Sequence, residues 1–143
     1  MIRFLDKKII YYFLISLSIF ALDRISKIYV INIAEKFGQV DIYINQFLNI
    51  ILVWNSGIGF GLLSFEKEFL YNLITLIIIL VNFVILYLGI KSNNFKGFLF
   101  FIILGGSLGN LFDRLYYSAV PDFIDINYNG FHWFIFNVAD IFI

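Results

Sequence analysis

Two asparagine–aspartate pairs share one spacing in this chain: Asn110 and Asp113 within GGSLGNLFDRL, and Asn137 and Asp140 within FNVAD. The 143 residues include no cysteine and one histidine, His132, so thiolate chemistry and multi-histidine or Cys-based metal sites drop out. Carboxylates, hydroxyls and lysine are left. Two carboxylates a few Å apart cannot both ionise, so one stays an acid and the other a base. Such a pair can activate water against a peptide carbonyl and then protonate the leaving amine, without metal or cofactor. Asp113 and Asp140 are the candidates. Asn110 shares a helix face with Gly106 and Asp113 and would orient the first carboxylate; Asn137, as a helix cap, would aim the second. A third acid, Asp23, has Lys27 four residues on and Arg24 beside it, which reads as a supporting ion pair. Ser26 and Lys27 are adjacent on a helix and diverge in direction, and no two acids show a recognisable metal-motif spacing, so neither arrangement displaces the carboxylate pair.

The elements that must position these groups are membrane spans. The chain is 62% hydrophobic and 14% charged, with a mean hydropathy of +0.92, far outside soluble usage. Net charge is zero and the isoelectric point about 6.5, which offers no basic surface to a nucleic acid. Three stretches, about 9–31, 69–90 and 97–117, meet the length needed to cross a bilayer. The first follows basic residues as a signal peptide does, but no small-residue cleavage site follows Phe20, so it is expected to be retained. Asn72 and Asn82 in the second span are expected to bond between helices. Only KSNNFK separates spans two and three, which makes them antiparallel neighbours. Between spans one and two, about 34–66, VDIYIN alternates with period two and NIILVW runs into the glycine-rich NSGIGFG, which predicts short strands and a loop at the interface. From His132 the sequence turns apolar again, but a helix from there to Ile143 would reach only about 18 Å, so a fourth span starts and is cut short.

Arg3, Lys7 and Lys8 before span one, with Lys91 and Lys96 around the second loop, place the N-terminus inside and the strands outside. On that orientation Asp23 lies roughly 21 Å along span one and Asp113 roughly 24 Å along span three, both in the outer half, with Asp140 near the outer end of span four. Ionisable groups within spans are costly, so function is their default explanation. No repeat, low-complexity tract or linker divides residues 1–143, which predicts a single domain. Two competing readings remain. A small proton-coupled transporter would use the three aspartates as a relay, but needs a polar path through inner halves that are almost purely apolar. A scaffold packing through Gly105 and Gly109 would leave Asp113→Asn silent.

LDRISK, WNSGIGFGLLS, GGSLGNLFDRL, VPDFID and FNVAD, in this order and spacing from about Asp23 to the end of the chain, resemble the lipoprotein signal peptidases, also called signal peptidase II. The resemblance implies a membrane all-α fold: a four-transmembrane-helix bundle, here with its fourth helix truncated three residues past Asp140, carrying a small extracytoplasmic β-sheet cradle. It implies an aspartic endopeptidase of the bacterial inner membrane, multi-pass, with a cytoplasmic N-terminus and the active site toward the periplasmic face. Its partners would be membrane lipid and prolipoproteins, cut just before a diacylglyceryl-modified cysteine, and globomycin-type cyclic peptides would inhibit it. By motif, Asp113 and Asp140 correspond to the catalytic dyad and Asn110 and Asn137 to its supporting asparagines. Asp23 corresponds to a required acid in the first span, and Asn55 and Arg114 to residues near the substrate backbone. No metal and no cofactor is implied. With the fourth helix incomplete, activity is expected to fall below that of a chain in which it is complete.

Overall fold

Long apolar runs become helices wherever the chain can satisfy its own backbone in lipid. The computed structural model describes residues 7–57, 64–92 and 94–143. Its helices are α1 (Lys7–Phe37), α2 (Ser64–Lys91) and α3 (Asn94–Tyr117), each enclosing one of the expected spans. Among the described residues, these are three helices long and apolar enough to cross a membrane. α3 is central, with α1 and α2 packed along it. Their outward faces stay apolar and exposed, as at Leu17, Ile25 and Phe83, which suits a lipid solvent. Asn82 does not bridge helices as expected: its Nδ2 donates to the Ile78 carbonyl of its own helix at 2.9 Å, and Asn72 is exposed.

A four-stranded antiparallel sheet, in the order β1-β2-β3-β4, joins the helices at one end. β1 (Asp41–Asn45) and β2 (Leu48–Asn55) are the strands the period-two pattern predicts. The glycine-rich loop expected after them falls mostly on residues 58–63, outside the described residues, as does Arg3. β3 (Val120–Tyr128) and β4 (Phe131–Phe136) come from the second outer segment. The chain leaves α3 through Ser118 at φ 58. Val30 of α1, Val40 and Phe123 of β3 form a core cluster with Ile50 and Leu52 of β2, which seats the sheet on the first helix.

The expected start of the fourth span is corrected here. His132 does not open a fourth span; it lies in β4, and the helical conformation resumes only as a 3-10 turn at Ala139–Ile141. The reason is local. Asn129 and Gly130 both have positive φ, 49° and 77°, the Asn-Gly combination that closes a two-residue hairpin. The aromatic, β-prone run FHWFIF then pairs back on β3, with Ile124 opposite Phe136 and Tyr128 opposite Phe131. Pro121 sits in β3 before β4 pairing begins, where its missing N–H costs little.

Candidate active site

α1 and α3 meet through small residues. A Cβ on Gly105 would lie 2.6 Å from the Ser16 carbonyl oxygen, and one on Gly109 would lie 2.5 Å from Asp23 Oδ2. The glycines thus admit α1 together with a carboxylate. Behind them is a buried ion cluster. Lys27 Nζ donates to Asp23 Oδ2 at 2.9 Å, to Asn110 Oδ1 at 2.8 Å and to Asp113 Oδ2 at 2.6 Å. Arg24 bridges Asp23 at 3.1 Å and closes on the other oxygen of Asp113. Asp23, Lys27 and Asp113 have no exposed surface. Two acids and two bases balance, which is the condition under which buried charges persist. The remaining oxygen of Asp23 accepts the N–H of Ala139 at 3.0 Å, which ties α1 to the residue before Asp140.

Asp113 is therefore not placed opposite Asp140. Its oxygens face Lys27 and Arg24, on the side of α3 that Gly109, one turn earlier, opens to α1. Asn110 is about 60° away around the helix, and it reaches both ways: its Oδ1 takes Lys27, and its Nδ2 donates to Asp140 Oδ1 at 2.8 Å. The side chain expected to orient Asp113 instead holds Asp140.

The carboxylate that shares surroundings with Asp140 is Asp122, on β3. Asn137 Nδ2 donates to Asp122 Oδ1 at 2.6 Å, and the Asn137 N–H donates to Asp140 Oδ2 at 3.0 Å. The Asp140 N–H returns a bond to Asn137 Oδ1 at 3.2 Å, the reciprocal geometry of a capping box. Asn55, at the end of β2, donates from Nδ2 to Asp122 Oδ2 at 3.0 Å and accepts the Gly57 N–H at 2.7 Å. Asp122 is buried and Asp140 exposed. Burial pushes the Asp122 carboxyl above its ordinary value, against the pull of the Asn55 and Asn137 amides, and the nearby Asp140 charge adds to the rise.

The Asp122 and Asp140 carboxylates and the asparagines bonded to them line one cavity of about 350 Å³. Asn55, Asn110, Arg114, Asp122, Asn137 and Asp140 form its polar end; Ile78, Val81, Ile85, Ile103 and Ile143 form an apolar end between α2 and α3. Arg114 packs its guanidinium over the Tyr71 ring, 5.5 Å to the centroid, and Tyr71 Oη donates to the Arg114 carbonyl at 2.9 Å. Among the described residues Arg114 Nη1 is buried with no hydrogen-bond partner, so within them a donor is left for whatever enters. Among the described residues no three His, Cys, Asp or Glu side chains converge in a metal-ligating group.

Of the expected site residues, Asn55, Asn110, Arg114, Asn137 and Asp140 meet at the cavity, while Asp23 and Asp113 lie in the ion cluster behind it. Asp122 was hidden among the acids of an outer loop, although an aspartate set inside VPDFI, upstream of an Asn-Gly hairpin signal, marks a carboxylate carried on an apolar strand. Tyr71 carried no signal beyond being a polar-tipped aromatic near the end of an apolar span.

A sequence model described as signal peptidase (SPase) II matches residues 15–143. The lipoprotein signal peptidase of Pelagibacter ubique is 50% identical over 129 residues, covering 90% of this chain and 78% of that protein; its counterpart in Anaplasma phagocytophilum is 38% identical over 125 residues, 86% of this chain and 78% of that one. A bacterial membrane enzyme solved by the in meso method at 2.3 Å resolution superposes with a TM-score of 0.72 at 32% identity, covering 92% of this chain and 79% of that chain. A second such enzyme, solved at 1.9 Å, gives 0.73 at 29% identity, covering 92% and 84%. With three membrane-length helices and these neighbours, the protein is a multi-pass membrane protein. The chain belongs to the signal peptidase II family, the lipoprotein signal peptidases that remove signal peptides from prolipoproteins.

Proposed function

We propose that this peptidase is an aspartic endopeptidase whose dyad is Asp122 and Asp140. The observation that carries the reading is Asn137, which donates to both carboxylates at once, 2.6 Å to Asp122 and 3.0 Å to Asp140, at the polar end of the cavity. Asp122, raised by burial, holds the proton. Asp140, exposed and given donors by Asn110 and the Asn137 backbone, is the base. It takes a proton from water as the oxygen attacks the scissile carbonyl, while Asp122 protonates the carbonyl oxygen. As the tetrahedral intermediate collapses, Asp140 passes its proton to the leaving amine and Asp122 recovers its own. The free Nη1 of Arg114 donates to a substrate carbonyl and holds the chain in register.

The substrate is a prolipoprotein cut just before its diacylglyceryl-modified cysteine, within the bilayer on the periplasmic side of the inner membrane. The apolar wall of Ile78, Val81 and Ile85 suits the signal peptide, and the exposed aromatic sheet residues Tyr43, Phe131 and Trp133 lie along the interface. A globomycin-type cyclic peptide competes for the same cavity. The test is cleavage of a peptide bearing a diacylglyceryl-modified cysteine. Asp122→Asn and Asp140→Asn should each lower kcat by about 10³ or more, the scale of losing a catalytic proton-transfer group. Asp113→Asn should retain at least about tenfold more activity than either. The reverse order would reject the assignment.

A further inference from the structure

The mechanism above does not use Lys27, one of the fully buried charges among the described residues. Lys27 has no exposed surface, and its ammonium meets three acceptors at 2.6–2.9 Å from two helices. We propose that Lys27 is a positioning residue for Asp140: it commits the carbonyl oxygen of Asn110, so that the amide nitrogen of Asn110 must face Asp140 and hold it at the cavity. This rests on Asp140 being the catalytic base.

An asparagine amide presents an acceptor and a donor of nearly equal shape, and the group it faces decides its orientation. An ammonium can only donate. With Lys27 Nζ 2.8 Å from Asn110 Oδ1, the amide has one allowed orientation, and it directs Nδ2 to Asp140 Oδ1 at 2.8 Å. The same ammonium holds Asp23, whose other oxygen takes the Ala139 N–H. Two links thus run from one buried cation to the side chain and the backbone of the Asp140 segment. The charged groups facing Lys27 are Asp23 and Arg24 from α1 and Asp113 from α3; Asp122 on β3 feels its charge across the cavity wall. Without Lys27, Asn110 Oδ1 loses the donor that fixes it, and the amide can turn its NH2 toward Asp23. Its carbonyl oxygen then faces Asp140, acceptor against acceptor.

The test uses the full chain in detergent micelles with the diacylglyceryl-cysteine peptide. Lys27→Met alone strands a buried charge, so the comparison is K27M/D113N, which keeps the cluster balanced, against D113N. The expected result is a kcat lower by about tenfold or more with KM within about twofold, the signature of a misplaced base. Adding N110A to K27M/D113N should cost less than about threefold more, although N110A in D113N alone costs about tenfold, because both changes cut one link. Equal turnover by K27M/D113N and D113N, or costs that multiply, would overturn the proposal. If the D113N background gives no folded, active enzyme, N110D decides. Lys27 still takes one oxygen, and the other carries charge toward Asp140, so activity falls at neutral pH and partly returns under acid, where the new carboxyl donates as the amide did. An unchanged pH optimum, or no recovery, counts against Lys27. Cleavage by D122N or D140N would instead overturn the dyad and leave the Lys27–Asn110 coupling readable by itself.

Discussion

Replacing Asp122 by asparagine separates catalysis from stability, and the pH dependence of that separation follows from the environment of the residue. In the folded protein Asp122 is 5% exposed, and its carboxyl is raised by burial. Between the unfolded and folded values the native state binds more protons, so unfolding free energy falls as pH rises through that window. Each unit of the rise corresponds to about 1.4 kcal/mol that the native state gives up to ionise the group once pH rises above its folded titration. Asparagine removes that cost. It also turns an NH2 toward one of the two amide donors, Asn55 or Asn137, that now bond the carboxylate, which loses a hydrogen bond of about 0.5–1.5 kcal/mol. The two effects have opposite sign. Above that titration the stability deficit of D122N should therefore be smaller than below it, while the variant is inactive throughout. Below it, where native Asp122 holds its proton, no charge is left to relieve and D122N should be the less stable protein. The assay is thermal unfolding in micelles followed by the fluorescence of Trp54 on β2 and Trp133 on β4, at a series of pH values. A stability difference that stays constant with pH, or grows in favour of the wild type as pH rises, would refute the reasoning.

Gly109→Ala would place a methyl group 2.5 Å from Asp23 Oδ2 and 3.1 Å from its carboxyl carbon; it should cost about 1–3 kcal/mol in unfolding measurements and lower kcat by shifting the Asp23 link to Ala139. Gly57 has φ +71°, and a Cβ there would lie 2.8 Å from Arg114 Nη2, so Gly57→Ala should raise KM for the lipidated peptide more than it lowers kcat. Tyr71→Phe loses one hydrogen bond to the Arg114 carbonyl but keeps the ring beneath the guanidinium; it should leave KM within about threefold, whereas Tyr71→Ala should raise it further.

Much of the architecture is legible in one dimension because it depends on runs and periods. Apolar length marks α1, α2 and α3, period two marks β1, and the small residues of GGSLG mark where α3 admits a neighbour. The Asn-Gly hairpin between β3 and β4 is equally local and was outweighed by the apolar character of FHWFIF, which suits a membrane helix or an aromatic strand alike. Asn110, Asn137 and Asp140 stand out by type and spacing, Asn55 and Arg114 by the family resemblance, and all five converge at one cavity.

Which aspartate meets Asp140 is a different kind of question. Asp113 and Asp122 are both acids in apolar surroundings, both 30 residues or fewer before Asp140, and each lies within a motif of the family resemblance. Sequence alone marked this chain as a membrane protein with carboxylates in its spans and pointed to Asn55, Asn110, Arg114, Asn137 and Asp140, but not to Asp122 or Tyr71. The tertiary structure alone decided the pairing, because it depends on direction: Asp113 points from α3 into two cations of α1, while β3 carries Asp122 to Asn137. A carboxylate facing Lys27 and Arg24 has its charge neutralised, and one facing amides in a buried cavity is pushed above its ordinary value, a distinction that residue identity does not contain.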